Sequence, residues 1–156
     1  MTACKDVERL RPPFIHAAKW LLHTIDKKGL PFLVYETWRS AETQEKYYER
    51  KVTKARAGQS PHNHGLAVDF VLDTKKIRVR RREWKGRLYP DAWDDETPEA
   101  VDAWCELGAA AQGLGLVWGG KWIKKNATPK RKTSGDLVVL GWDLPHVELS
   151  GWNSYR

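Results

Sequence analysis

The chain has 156 residues, of which 41% are hydrophobic and 30% are charged, and its formal net charge is +7. These values are ordinary for a soluble globular protein, and the length predicts one domain, residues 1–156, with a single hydrophobic core. No apolar run approaches the roughly 20 residues that a membrane-spanning helix needs, so we expect no membrane anchor.

The N-terminus and the cysteines bear on the compartment. Residues 1–8 lack the apolar segment of a signal peptide, so we expect the protein to be cytoplasmic on synthesis. Cys4 and Cys105 are too few for a disulfide framework, and reduced thiols are the simplest interpretation. The positive charge favours an anionic partner, such as an anionic polymer, a lipid surface or nucleic acid.

The first half of the chain alternates helical and extended patterns. Apolar residues recur at helical spacing before Gly29, and Ser40 is a suitable N-cap for a second helix. Short runs rich in β-branched and aromatic or other apolar residues predict strands. The expected elements are helices over 13–28 and 41–50, a loop over 52–59, and strands over 32–37 and 66–72.

The second half contains two basic segments. Residues 75–87 carry eight Lys or Arg and are followed by an acidic run, so we interpret 73–96 as a surface insert, an extended loop or a hairpin. It is either a solvated face or a patch that holds an anionic polymer. A second insert covers about 121–136. We expect a helix over 97–112, with Thr97 as its cap, and extended segments over 137–140 and 142–149. The residues of this helix expected to face the core are Val101, Trp104, Cys105, Gly108 and Ala109.

Two stretches carry residues that suit a metal. His62 and Asp69 flank Gly65 near the start of the apolar run, and His146 lies close to the C-terminus. Imidazole nitrogen and carboxylate oxygen are zinc ligands, and three protein ligands leave a fourth position open in a catalytic site. A carboxylate in an apolar strand is costly unless it is paired or metal-bound. A structural salt bridge is the alternative for Asp69.

The motif Ser60-x-His62-x-x-Gly65-x-Ala67-x-Asp69, followed later by Asp143-x-x-His146, resembles the peptidase M15 family of zinc peptidases that act on peptidoglycan. The resemblance implies an α+β fold with a small antiparallel sheet that carries the zinc site and helices packed on one side. It implies one Zn²⁺ per chain, held by His62, Asp69 and His146.

The resemblance also suggests roles for neighbouring residues. Asp143 is expected to be the general base, and Arg39 is expected to stabilise the oxyanion, with a structural ion pair as its alternative. Glu148 orients a ligand imidazole or is a rival base. His64 occupies a variable position of the motif and is not expected to bind the metal. The further candidates for binding substrate or supporting the ligands are Ser60, Gln44 and Trp118.

Within the family, the short chain and the Trp118-Gly119-Gly120 segment favour an L-alanyl-D-glutamate endopeptidase of the phage endolysin type, although Lys121 departs from the pattern. A D,D-carboxypeptidase or dipeptidase, and a non-catalytic zinc-containing module that binds the wall, are the alternatives. The expected partner is peptidoglycan, with anionic wall polymers or lipopolysaccharide held by the basic inserts, and no nucleic acid. We expect a monomer that reaches the cell wall once the membrane is permeabilised.

Overall fold

A computed structural model describes residues 3–123 and 130–155. The described residues form three α-helices and eight strands. The helices are α1 (Phe14–Lys27), α2 (Ala41–Glu49) and α3 (Pro98–Gly113). The strands are β1 (Phe32–Glu36), β2 (Ala67–Leu72), β3 (Arg81–Trp84), β4 (Arg87–Pro90), β5 (Val117–Trp118), β6 (Lys130–Lys132), β7 (Leu137–Val139) and β8 (His146–Glu148).

A four-stranded antiparallel sheet carries the site. Its strand order is β1-β2-β8-β5. In the pairing of β2 with β8, Asp69 lies opposite His146. In the pairing of β1 with β2, Glu36 lies opposite the same Asp69. Three chemically important side chains from distant parts of the sequence therefore share one face of the sheet, because directly paired residues point to the same side.

The other face of this sheet packs on α1 and α3. In β2, Val68, Phe70 and Leu72 alternate with less buried residues and enter the core. Phe32 contacts both Phe70 and Trp104 of α3, with ring centroids 6.3 and 4.8 Å apart. This arrangement confirms the predicted α+β fold, a small antiparallel sheet with helices packed against one side.

Of the two N-caps predicted from the sequence, the structure has the one at α2 and lacks the one at α3. The Ser40 hydroxyl accepts a hydrogen bond from the Thr43 N–H (3.1 Å), as its predicted N-cap role requires. Thr97 has no such bond at the start of α3. The Asp94 carboxylate instead accepts from the N–H groups of Glu96 (2.9 Å) and Thr97 (3.1 Å). These N–H groups precede the first helical residue, so the buried Asp94 carboxylate orders the loop that leads into α3, and the side-chain cap predicted for Thr97 is absent.

The first insert is a hairpin, one of the two forms the sequence allowed. All eight residues of β3 and β4 are exposed, and the turn between them is Lys85-Gly86. Of the second insert, residues 124–129 lie outside the described residues, and the rest includes the two-stranded sheet of β6 and β7. Among the helices described, none is long and apolar enough to cross a membrane.

Two local expectations were wrong. The extended segment predicted over 142–149 is a strand only at its end, because residues 143–145 make a turn that brings the His146 N–H to the Asp143 carbonyl (3.3 Å). On α3, Ala109 was expected in the core but is exposed, and Cys105 is half-buried. Leu107 and Ala111 occupy the core positions of that helix instead.

Candidate active site

Two histidines and a carboxylate converge at the centre of the sheet. His62 lies in a 3-10 turn (Pro61–His64), Asp69 lies in the middle of β2, and His146 begins β8. Asp69 Oδ1 is 2.9 Å from His146 Nδ1 and 3.3 Å from His62 Nε2. The two imidazole nitrogens are 3.3 Å apart. The ligand atoms of these three residues therefore surround one small space, which is the arrangement that the motif predicts.

The turn that delivers His62 depends on glycine. Gly65 has φ +66°, a conformation that favours glycine, and a Cβ there would be 2.7 Å from the Arg9 carbonyl oxygen. The Gly65 carbonyl also accepts a hydrogen bond from the Arg11 N–H (3.0 Å). The chain can therefore reverse between His62 and β2 only with a residue that lacks a side chain.

Partners outside the cluster orient both imidazoles. His62 Nδ1 is 2.7 Å from the Thr37 carbonyl oxygen, which can only accept, so Nδ1–H donates and Nε2 is the nitrogen that points inward. His146 Nε2 is 3.0 Å from Glu148 Oε2, and this bond leaves Nδ1 pointing inward. An imidazole whose second nitrogen donates to a carboxylate or a carbonyl is the usual arrangement of a metal-binding histidine.

Charges within the cluster shift the pKa of its members. Burial disfavours the charged form of His146, but hydrogen bonds to Asp69 and Glu148 outweigh it and raise its pKa to about 10. Burial also opposes ionisation of Asp69, but the charge of His62 and hydrogen bonds from both histidines hold its pKa well below the usual range. In the metal-free protein, Asp69 is therefore an ionised carboxylate, and it faces the positively charged imidazole of His146.

The donor set fits a zinc ion. Two ligands at about 2.1 Å from a tetrahedral ion are about 3.4 Å apart, close to the 2.9–3.3 Å distances between these three donor atoms. His62 and His146 are only 2% and 6% exposed, and their inward nitrogens, 3.3 Å apart, need a proton or a cation between them. His62, Asp69 and His146 together could hold a metal.

Asp143 lies beside this cluster, three residues before His146. Burial raises the pKa of its carboxyl, and the nearby carboxylates of Asp69 and Glu148 add to that effect while the histidines oppose it. Gly119 makes room for it, because a Cβ there would be 2.3 Å from the Asp143 carbonyl oxygen. A carboxyl with a raised pKa, next to a candidate metal site, is chemically suited to exchange protons.

Arg39 lies in an ion-pair network beside Asp69. Its Nε donates to Glu36 Oε1 (3.1 Å), its Nη2 pairs with the other Glu36 oxygen, and its Nη1 donates to Gln44 Oε1 (2.9 Å). The Asp69 carboxylate is 4.0 Å from Nη2. The guanidinium also lies over the Tyr47 ring. Gln44 is fully buried and donates to the Ala55 carbonyl, so it holds Arg39 rather than facing solvent.

The other predicted residues support the loops around the cluster. Ser60 is buried at the start of the His62 turn. Trp118 is buried, and its indole N–H donates to the Leu144 carbonyl (2.8 Å), which fixes the segment between Asp143 and His146. His64 is outside the donor cluster and bonds the Gly58 carbonyl (3.0 Å).

Three residues of the site were missed from sequence. Glu36 is the buried partner of Arg39. Asn63 donates to the Arg39 carbonyl (2.9 Å) and so ties the two loops together. The Trp122 ring lies 5.2 Å from the His146 ring. For Glu36, the i, i+3 spacing to Arg39 after a strand was an available signal; Asn63 and Trp122 had none.

A cleft of about 380 Å³ opens beside Asp143. Its lining includes Trp142, Asp143 and Pro145, together with Trp93 and, at the foot of the β3–β4 hairpin, Arg82. Asp143 is the one residue of the proposed chemistry that lines it. Clefts of this size with aromatic walls and a few polar groups are typical of sites for small molecules and peptides.

Comparisons with known proteins agree with this geometry. A peptidase M15 family model described as D-alanyl-D-alanine carboxypeptidase matches residues 53–128, which include His62 and Asp69 but end before Asp143. The peptidoglycan L-alanyl-D-glutamate endopeptidase CwlK of Bacillus subtilis (strain 168) is 33% identical over 129 residues. That alignment covers 78% of this chain and 62% of the relative, less than two thirds of its length.

Solved structures show the same fold. The L-Ala D-Glu endopeptidase ChiX of Serratia marcescens aligns with 99% of this chain and 92% of its own, at 21% identity and a TM-score of 0.55. VanYB in complex with D-alanine-D-alanine aligns with 93% and 74%, at 14% identity and a TM-score of 0.55. The LD-carboxypeptidase LdcB aligns with 93% and 61%, at 16% identity and 0.52. At these identities the likeness extends to the fold alone.

Proposed function

Because this chain belongs to the peptidase M15 family, we propose that it is a zinc-dependent peptidase that hydrolyses a stem-peptide bond of peptidoglycan. The observation that carries the proposal is the donor triangle of His62, Asp69 and His146, whose distances suit zinc. We propose the L-alanyl-D-glutamate bond as the target, because the relative that is 33% identical carries that activity in its name.

Each residue of the site has a separate role in the proposed hydrolysis. A zinc ion at the triangle would polarise the scissile carbonyl and make water a better nucleophile at neutral pH. Asp143 takes the proton from the attacking water and then gives it to the leaving amine, a role for which its raised pKa suits it. Glu148 holds His146 in the orientation that turns Nδ1 toward the ion.

Arg39 is proposed to stabilise the oxyanion as well as to orient Asp69. A guanidinium has five N–H donors, and Glu36 and Gln44 engage three of its nitrogens without using all the protons. Its Nη2 lies 4.0 Å from the Asp69 carboxylate, so a donor of Arg39 is close to the candidate metal site. The ion pair with Glu36 supports the positioning role directly, and the oxyanion role stays a prediction.

The second candidate is a D,D-carboxypeptidase, which the description of the matching family model favours. Its metal ligands would be the same, so the site does not separate the two activities. The third candidate, a non-catalytic module, would need only the metal ligands, whereas Asp143 places a carboxyl suited to proton exchange beside the donor triangle.

Digestion of purified muropeptides, followed by mass spectrometry, tests the proposal. Cleavage between L-alanine and D-glutamate is expected, with zinc at one ion per chain by metal analysis. Loss of a terminal D-alanine alone would establish the carboxypeptidase instead. An intact substrate with fully zinc-loaded protein would overturn both. The matched negative control is His62→Ala, which should retain neither zinc nor activity.

The place of action is proposed to be the bacterial cell wall. The net charge of +7 favours association with a wall that carries anionic polymer or lipopolysaccharide. We propose that the protein acts there as a monomer in the manner of an endolysin. Lysis of bacterial cells from outside, after permeabilisation of the outer layers, is the measurement that checks this part.

A further inference from the structure

We propose that Arg82, at the foot of the β3–β4 hairpin, binds a free carboxylate of the peptide substrate next to the scissile bond. The insert is then part of the substrate site and not only a patch that attracts the wall. This inference rests on the proposed peptidase function, and it adds the residue that recognises the substrate.

The first observation is position. Arg82 lines the same cleft as Asp143, together with Trp93 and Trp142. The proposed proton acceptor and the hairpin therefore border one space of about 380 Å³. A peptide bound with its scissile bond beside Asp143 can therefore place a neighbouring residue in this cleft, within reach of the hairpin.

The second observation is charge. The neighbouring Arg80 is surrounded by acidic groups, since its guanidinium lies 2.9 Å from Asp91, 3.8 Å from Asp94 and 3.6 Å from Asp95. It also pairs with Glu96 at 2.5 Å. These ion pairs hold the Arg80 side chain in place and neutralise its charge, so Arg80 stabilises the base of the hairpin.

Arg82 differs from Arg80 in both respects. Its side chain is 64% exposed, and its one ion pair in the described residues is with Asp91 at 3.5 Å. The same Asp91 oxygen is closer to Arg80. Arg82 therefore presents an exposed guanidinium to the cleft, and its planar group can donate two parallel hydrogen bonds to one carboxylate, which lysine cannot do.

The third observation is the arrangement of the hairpin. Arg82 pairs with Tyr89 across the strands, and Trp84 pairs with Arg87, so these four side chains share one face. The Trp84 and Tyr89 rings are in contact at 6.3 Å. This face is basic and aromatic and leads away from the cleft. Arg81 points to the opposite face.

The chemistry of the proposed bond supplies the carboxylate. Glutamate has two carboxyl groups, and linkage to the next residue of a peptide uses only one of them. The second stays free within a few bonds of the alanyl-glutamate amide. An arginine on the wall of the cleft can therefore recognise this residue and distinguish it from an uncharged one.

The experiment compares Arg82→Gln with Arg81→Gln, its matched control on the other face. The substrates are a soluble stem peptide with a free carboxylate on the glutamyl residue and the same peptide with a carboxamide there. Arg82→Gln should lower kcat/KM about tenfold or more on the free acid and less than about twofold on the carboxamide. Arg81→Gln should match the wild type on both, and thermal unfolding should show all three proteins folded.

A binding measurement separates this inference from the proposed function. Zinc-loaded Asp143→Asn protein, with and without Arg82→Gln, is titrated with each peptide, and tryptophan fluorescence reports binding near Trp93 and Trp142. Carboxylate-dependent binding without cleavage by the wild type would overturn the peptidase and keep the role of Arg82. Cleavage with equal effects of Arg82→Gln on both peptides, or with no effect, would overturn the role of Arg82 and keep the peptidase. Failure of the wild type to bind either peptide would overturn both.

Discussion

The donor triangle and the β3–β4 hairpin are opposites in physical character. His62 and His146 are nearly inaccessible, and both of their ring nitrogens have partners. All eight hairpin residues in β3 and β4 are exposed. The triangle rests on the central sheet, whereas the hairpin is held at its foot by Arg80 and its acidic partners.

This difference follows from what each region has to do. A metal site needs donor atoms fixed within tenths of an ångström, which only a packed sheet with oriented imidazoles supplies. Recognition of a charged polymer needs accessible charge and tolerates movement. Among the described residues, no buried side-chain nitrogen or oxygen lacks a partner, so the polar site is accommodated fully within the fold.

The largest expected effect is at the triangle itself. His62→Ala should abolish zinc binding and activity, because it removes one of three donors that meet at one point. His64→Ala should keep zinc at one ion per chain, since His64 bonds a backbone carbonyl outside the cluster. Metal analysis of both purified proteins measures this. Zinc loss from His64→Ala alone would mean that the ligand set is wrong.

The next effect concerns Asp143 and separates a base from a ligand. Asp143→Asn should retain zinc and fold normally, while turnover falls roughly 10²–10⁴-fold, the contribution of a positioned acid or base. Glu148→Gln, the matched control, should lose about 10–100-fold in metal affinity or activity. If Glu148→Gln is inactive with zinc bound while Asp143→Asn stays active, Glu148 is the base.

A pH dependence follows from His146. In the metal-free protein its pKa is raised to about 10, above the ordinary value of about 6.5, so its imidazolium stabilises the fold below that ordinary value. This stabilisation should be lost as pH rises from about 6.5 to about 10. Urea unfolding of the chelator-treated protein across this range measures it. Glu148→Gln should flatten the dependence, because it removes one of the two hydrogen bonds that raise the pKa.

A pair of glycines compares the two regions in stability. Gly65 and Gly86 both have φ near +70°, but an added Cβ meets the Arg9 carbonyl at 2.7 Å in the first and nothing within 4 Å in the second. Gly86→Ala should cost about 1–2 kcal/mol of local hairpin stability, the cost of a left-handed alanine. Gly65→Ala should cost more and lower the thermal midpoint of the whole domain. Equal thermal midpoints would mean that the His62 turn adjusts freely.

The smallest effect is expected from the remaining charges of the insert. Lys75→Gln with Lys76→Gln should weaken binding to intact wall, most clearly at low salt, because exposed charges are screened as salt rises. Turnover of a soluble muropeptide should stay within about twofold of the wild type, since neither lysine lines the cleft. Sedimentation with purified wall at two salt concentrations, beside the soluble assay, measures the difference.

The sequence alone was enough for the elements and the donors. Helical spacing, helix-start signals and short β-rich or apolar runs predicted α1, α2, α3, β1 and β2 to within a residue or two of their observed ends. The motif predicted that His62, Asp69 and His146 belong together, and the structure brings their atoms within 4.8 Å of one another. These features could be predicted because helices, strands and short motifs depend mainly on residues that are close together in the sequence.

Tertiary structure decided what consecutive residues cannot encode. The pairing of β2 with β8 places His146 opposite Asp69, which is 77 residues away, and the fold chooses which nitrogen of each histidine turns inward. Glu36 became the partner of Arg39, and Asp94 bonds the backbone N–H groups of Glu96 and Thr97 ahead of α3, because burial of a charge selects whichever partner the packing brings within reach. The path of the hairpin, which brings Arg82 to the cleft of Asp143, depends in the same way on contacts between distant segments.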